Sequence, residues 1–106
     1  MLPGMCRPSL REPRPSIDEE VKPSFDCAKA RTMAEKLVCA NPRLARLDTR
    51  MAVSYSTLRA RPEDGRALLA EQRAWLREER DKCENLECLV SRYQGRVKAL
   101  EERIGK

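Results

Sequence analysis

The 106-residue chain predicts an all-α fold: a small antiparallel helical bundle, one short helix followed by three longer ones, with disulfides. Three observations carry this. No segment alternates apolar and polar residues with period two, the mark of a half-buried strand. Apolar residues recur instead at three- and four-residue spacing in three stretches, the mark of helices with one buried face. The aromatic residues are Phe25, Tyr55, Trp75 and Tyr93, so the core must rest on Leu, Val, Met and Ala, which suits packed helices better than stacked sheets.

Each element has its own signal. Five of the seven prolines fall within Met1–Pro23, among Arg7, Arg11, Glu12 and Arg14. Proline removes backbone donors and charge opposes burial, so residues 1–22 read as a disordered Pro-rich tail and residues 23–106 as the domain. Thr32-Met33-Ala34-Glu35 has capping-box spacing, which starts a short helix from Met33 to Ala40. Asn41 ends it and caps the next, with Pro42 at the first helical position. Leu44, Leu47, Met51, Tyr55 and Leu58 then form an apolar stripe, with Asp48, Arg43, Arg46 and Arg50 mostly off it. The run Arg61-Pro62-Glu63-Asp64-Gly65 is a turn. The following helix carries Leu68, Leu69, Gln72, Trp75 and Leu76 on one side and runs to about Lys82. The last carries Leu86, Leu89, Val90, Tyr93, Val97, Leu100 and Ile104, with Gly105 as its stop. Short connections make consecutive helices antiparallel.

Charge and missing residue types exclude several functions. Lys and Arg number 22 against 17 acids, a net charge of +5, and there is no His. That removes the commonest general base and metal ligand. No glycine-rich phosphate loop is present, and no pair of carboxylates falls in an apolar setting as a glycosidase requires. A binding or structural module is expected rather than an enzyme, with no cofactor and no metal. No run approaches the ~18 apolar residues of a membrane span, and Met1–Arg14 holds no apolar signal-peptide core. The basic residues interleave with acids, as in Arg73, Glu78, Arg80, Asp81 and Lys82, which is the pattern of solvated helix faces rather than of a nucleic-acid surface. Trp75, Tyr55 and Tyr93 read as stripe residues, the tyrosine hydroxyls reaching the surface. Gln72 and Arg80 read as a hydrogen-bond set locking helices together. Asp26 and Asp48 read as ties to backbone or arginine. One local feature departs from this background. Glu78, Glu79, Asp81, Glu84 and Glu87 place five acids within ten residues, a candidate docking surface for a basic protein partner.

The five cysteines are Cys6, Cys27, Cys39, Cys83 and Cys88, a density typical of oxidising compartments. On one continuous helix Cys83 and Cys88 would be ~7.5 Å apart along the axis and on opposed sides. Cys27 and Cys39 would be ~18 Å apart. A disulfide needs Cα atoms within about 4.4–6.8 Å. Bonds within these pairs therefore require a helix break at 84–87 and a fold-back of residues 25–31. Pairings that link Cys27 or Cys39 to Cys83 or Cys88 remain open. The spacing is a poor match to zinc knuckles.

The run Phe25-Asp26-Cys27-Ala28-Lys29-Ala30, then Glu35, Cys39, Pro42, Leu44, Leu47-Asp48 and Tyr55, resembles the first half of the LprI-like domain. Gln72-Arg73-Ala74-Trp75-Leu76, Arg80-Asp81, Cys83, Cys88-Leu89, Tyr93 and Arg96 resemble the second half. The resemblance covers roughly residues 24–100. It implies a helical, exported, disulfide-bonded domain, secreted or periplasmic, in a family with a lysozyme inhibitor among its members. The family-like spacing together with the loop geometry points to Cys27–Cys39 and Cys83–Cys88, with Cys6 free. The chain departs from the family pattern in having Cys6 and in the spacing between Leu76 and Arg80. The implied function is a non-enzymatic protein-binding domain whose partner is a lysozyme or another wall-acting enzyme. Two alternatives are a structural module of the bacterial envelope without inhibitory activity and a cytosolic nucleic-acid-associated helical protein.

Overall fold

A computed structural model describes residues 21–63 and 65–105. A 3₁₀ turn, Cys27–Lys29, precedes four helices: α1 (Met33–Ala40), α2 (Pro42–Arg59), α3 (Gly65–Trp75) and α4 (Leu86–Ile104). No strand occurs among the described residues. The expected tail lies outside them except for Val21 and Lys22, as does Cys6.

The helix starts follow the local chemistry. The Thr32 hydroxyl accepts from the Glu35 amide at 3.0 Å, and the Glu35 carboxylate accepts from the Thr32 amide at 3.1 Å, a complete capping box. Asn41 accepts from the Arg43 and Leu44 amides, with Pro42 in the first turn of α2. Asn85 caps α4 by accepting from the Cys88 amide at 2.8 Å.

One helix differs from expectation. Instead of continuing as an α-helix to Lys82, α3 widens into a π-helical turn over Leu76–Arg80, where the Asp81 amide donates to the Leu76 carbonyl at 2.9 Å. The wider turn holds one extra residue. An α-helical register would bring Glu79 round onto the face of Gln72. The π-turn brings Arg80 there instead, buried, and leaves Glu79 in solvent.

The helices bury one shared core. Ala34 and Val38 come from α1; Leu44, Met51 and Leu58 from α2; Leu68 from α3; Leu89, Tyr93, Val97 and Leu100 from α4. Consecutive helices α2–α3 and α3–α4 are antiparallel. Consequently α2 and α4, the most extensively packed pair, run parallel: contacts advance together from Asp48–Tyr93 through Arg50–Glu101 to Arg61–Ile104. Leu86, expected in the stripe, is 42% exposed because it opens α4 at the tip, beyond the neighbouring helices.

Two disulfides close the ends of the structure. Cys27–Cys39, with Cα atoms 5.9 Å apart, folds the 3₁₀ turn back over α1. Cys83–Cys88, at 5.5 Å, closes a tip of residues 84–87 between the π-turn and α4.

Candidate partner-binding surface

A buried polar frame holds the helices in place. Asp48 is 1% exposed, so it lies on the stripe rather than off it. Its carboxylate accepts from the Tyr93 hydroxyl at 2.8 Å, from the Ser24 hydroxyl at 2.6 Å and from the Ser24 amide. The Tyr93 hydroxyl is therefore turned inward, not out to the surface. Burial pushes the Tyr93 phenol far above its ordinary range, and the Asp48 carboxylate adds to that push. Trp75 is half-buried and packs edge-to-face on Tyr93, with ring centroids 5.2 Å apart.

Arg80 organises the other end. Its Nε donates to Asp81 at 2.9 Å, its Nη2 donates to Glu35 at 3.1 Å, and its guanidinium lies 5.4 Å from the Phe25 ring centroid. Thr32 also donates to Asp81, at 3.3 Å. The start of α1 is thus tied to the end of the π-turn through Arg80 and Asp81. The Glu35 carboxyl is held below its ordinary value chiefly by the Arg31 amide, with the Thr32 amide and Arg80 contributing against the cost of burial. Gln72 does not join Arg80: its carbonyl oxygen accepts from Arg96 Nε at 2.9 Å. Asp26 accepts from the Ala28 amide, a local backbone tie.

The five acids of the expected docking surface divide into two groups. Glu78 lies 3.6 Å from Arg77, Glu79 pairs with Arg92 at 3.0 Å, and Asp81 pairs with Arg80. Asp81 is half-buried and part of the frame. Glu84 and Glu87 are exposed on the disulfide-closed tip, and no ion pair joins either to another described residue. Free negative charge at this end therefore resides on these two residues.

A cleft of about 310 Å³ lies between the Ser24–Phe25 segment and helices α2 and α3. Its polar lining includes Asp48, Gln72 and Arg80, which are engaged in the bonds just described. Among the described residues, no group of three His, Cys, Asp or Glu side chains is placed to hold a metal ion.

The family described as lysozyme inhibitor LprI matches residues 27–101. The chain belongs to that family. The LprI match opens on Cys27 and closes on Glu101, so it takes in both disulfides, the π-turn, the tip and nearly all of α4. The π-turn over Leu76–Arg80 lies inside the matched stretch. No curated protein and no solved structure matches the chain. Two contributors to the LprI frame gave no signal in the sequence pattern. Ser24 precedes every helix, and Glu35, which reads as a cap alone, also pairs with Arg80.

Proposed function

We propose that this domain is a non-enzymatic, exported inhibitor that binds a lysozyme and obstructs its substrate cleft. The observation that carries the reading is the LprI match over residues 27–101. The tip is the surface best suited to the task. It is closed by Cys83–Cys88, braced by Arg80 and Asp81, and carries Glu84 and Glu87 exposed and free of ion pairs. No helix among the described residues is long and apolar enough to cross a membrane.

Electrostatics restrict how such a tip works. The chain carries +5, so a cationic lysozyme is repelled at long range. Screening limits each charge to about 8 Å at physiological salt, so Glu84 and Glu87 act on a partner that has already come within that distance of the tip. Rim charges act mainly on association rate and its salt dependence. The test is a muramidase assay with a binding titration of wild type and the Glu84→Lys/Glu87→Lys double variant across salt concentrations. Wild type should inhibit at micromolar concentration. The variant should associate more slowly, with a flatter dependence on ionic strength. No inhibition and no binding by wild type would refute the reading. Binding that weakens equally at every salt concentration would refute electrostatic docking at the tip.

A further inference from the structure

The cleft between the Ser24–Phe25 segment and helices α2 and α3 has the make-up of a small-molecule site. Its volume, about 310 Å³, falls at the lower end of ligand cavities. At ~30 Å³ for each water-sized group, it has room for about ten non-hydrogen atoms. Phe25, Met51, Leu69 and Leu76 give it apolar walls. The charged groups in its lining are the guanidinium groups of Arg73 and Arg80 and the carboxylate of Asp48.

These charged groups are not equally spent. Asp48 is 1% exposed and already takes three donors from Tyr93 and Ser24. Arg80 has five N–H groups. Its Nε donates to Asp81 and its Nη2 to Glu35, and the Tyr93 hydroxyl oxygen gives the guanidinium one further electrostatic contact. Nη1 is joined to neither carboxylate and has no hydrogen bond of ordinary geometry. It is not sealed in either: among the described residues, the side-chain nitrogen that is both buried and unbonded belongs to Arg96. An unbonded nitrogen that keeps open surface faces open space, and the space that Arg80 borders is the cleft. Gln72, also in the lining, offers an amide nitrogen whose partner is the Met51 sulfur at 3.6 Å, a weak acceptor. Arg73 is exposed at the rim, and no hydrogen bond or ion pair joins it to another described residue. The cleft therefore presents unspent donors and net positive charge among apolar walls.

We propose that this cleft binds a small carboxylate with a compact apolar tail. The carboxylate accepts from Arg80 Nη1 and is drawn by Arg73 at the rim, while the tail lies against Phe25, Met51, Leu69 and Leu76. Hydrogen bonds between ionised partners are the strong ones, so the head group sets the preference. An amine in its place meets two cations, and a bare inorganic anion leaves the apolar walls unused. Because the cleft borders the Ser24–Phe25 segment, α2 and α3, an occupant ties all three together and stabilises the fold by mass action. Glu84 and Glu87 are not in its lining, so this site stands apart from the inhibitor reading.

The experiment titrates the oxidised full chain with hexanoate, hexylamine and inorganic phosphate at matched ionic strength. It follows the Met51 methyl and Arg80 Nε–H resonances by NMR, with a thermal melt at each concentration. Hexanoate should shift both resonances saturably and raise the melting temperature; hexylamine and phosphate should do neither. Arg73→Glu should raise the hexanoate dissociation constant at least about threefold, the scale of one exposed ion pair exchanged for a like-charge contact. Arg66→Glu is the control for net charge. Arg66 is exposed, outside the lining, and ~10 Å along α3 from Arg73, beyond the screening length of ~8 Å. That variant should bind as wild type does. Four results would each overturn the proposal: a hexanoate response that never saturates, a match between hexylamine and hexanoate, the same shifts from phosphate alone, or equal weakening by the two variants. If either variant melts lower than wild type, the wild-type comparison of hexanoate with hexylamine and phosphate decides by itself.

Discussion

Asp48→Ala should destabilise the domain through one buried hydroxyl. In the native protein the Asp48 carboxylate takes three donors: the Tyr93 hydroxyl, the Ser24 hydroxyl and the Ser24 amide. Ser24 is exposed, so water replaces Asp48 there, and each lost bond costs only about 0.5–1.5 kcal/mol. Tyr93 is fully buried, and stranding its hydroxyl costs about 1–3 kcal/mol. The total is about 2–6 kcal/mol, a large share of the stability of a small domain. At roughly 4–8 °C per kcal/mol it lowers the melting temperature by about 10 °C or more. Asp48→Asn is the discriminating control. A hydroxyl can accept as well as donate, so the amide nitrogen can donate to Tyr93 Oη while the amide oxygen keeps both Ser24 bonds. The Tyr93 O–H hydrogen still loses its carboxylate acceptor, but its oxygen stays bonded and Ser24 keeps both partners, so that variant should lose less than Asp48→Ala, about 1–2 kcal/mol. Adding Tyr93→Phe then strands the amide nitrogen and costs about 1–3 kcal/mol more. Urea denaturation of the four proteins measures each figure. An Asp48→Ala midpoint within about 0.5 kcal/mol of wild type, the range of neutral surface changes, would refute the argument.

Other expectations concern redox state, pH and the helix interior. Reduction of both disulfides should lower the melting temperature sharply, since each loop contributes on the order of 2–3 kcal/mol; non-reducing peptide mapping should recover Cys27–Cys39 and Cys83–Cys88 as the two bonds. Glu35 and Glu71 both have carboxyls held below the ordinary value of 4.5; at Glu71 burial opposes the shift, and the hydrogen bonds of Arg96 and Arg103 outweigh it. A lowered folded-state value means the contribution is present above pH 4.5 and is lost as pH falls through the folded values. Urea midpoints should therefore drop below pH 4.5, and Glu35→Gln should flatten that drop. Gly95→Ala should raise stability by about 0.5–1 kcal/mol, because the added methyl meets nothing and glycine weakens a helix interior.

The readable parts of the molecule were those set by local chemistry. Thr32 and Asn41 cap helices through bonds to amides two or three residues on, so their roles are visible in a few letters of sequence. The stripes of α2 and α4 are visible because burial selects apolar residues at helical spacing. Asp48 escapes a stripe defined by apolar residues alone. It lies four residues after Leu44 and three before Met51, at the centre of the same face, where a charged residue points to a buried, bonded carboxylate. The π-turn could not be read from local propensity. It follows from which residue, Arg80 or Glu79, finds partners on the inside, and those partners come from Phe25, Glu35 and Asp81, two of them far away in the chain. The acidic cluster was visible as composition, but only the folded chain shows that three of its members are neutralised by arginines and two are not.

Both disulfides join residues close in sequence, separated by 12 and 5 positions. Neither crosses the turn between α2 and α3. For a chain that emerges N-terminus first, the first pair can form before the second has been synthesised, so the order of synthesis itself guards against scrambled isomers. The same locality leaves the two halves without a covalent tie. A single proteolytic nick between Arg61 and Gly65 would leave a particle held together only by non-covalent contacts, the packing of α2 on α3 and α4 and bonds such as Asp48–Tyr93 and Glu35–Arg80, and denaturant would part it into two separately looped peptides even under fully oxidising conditions.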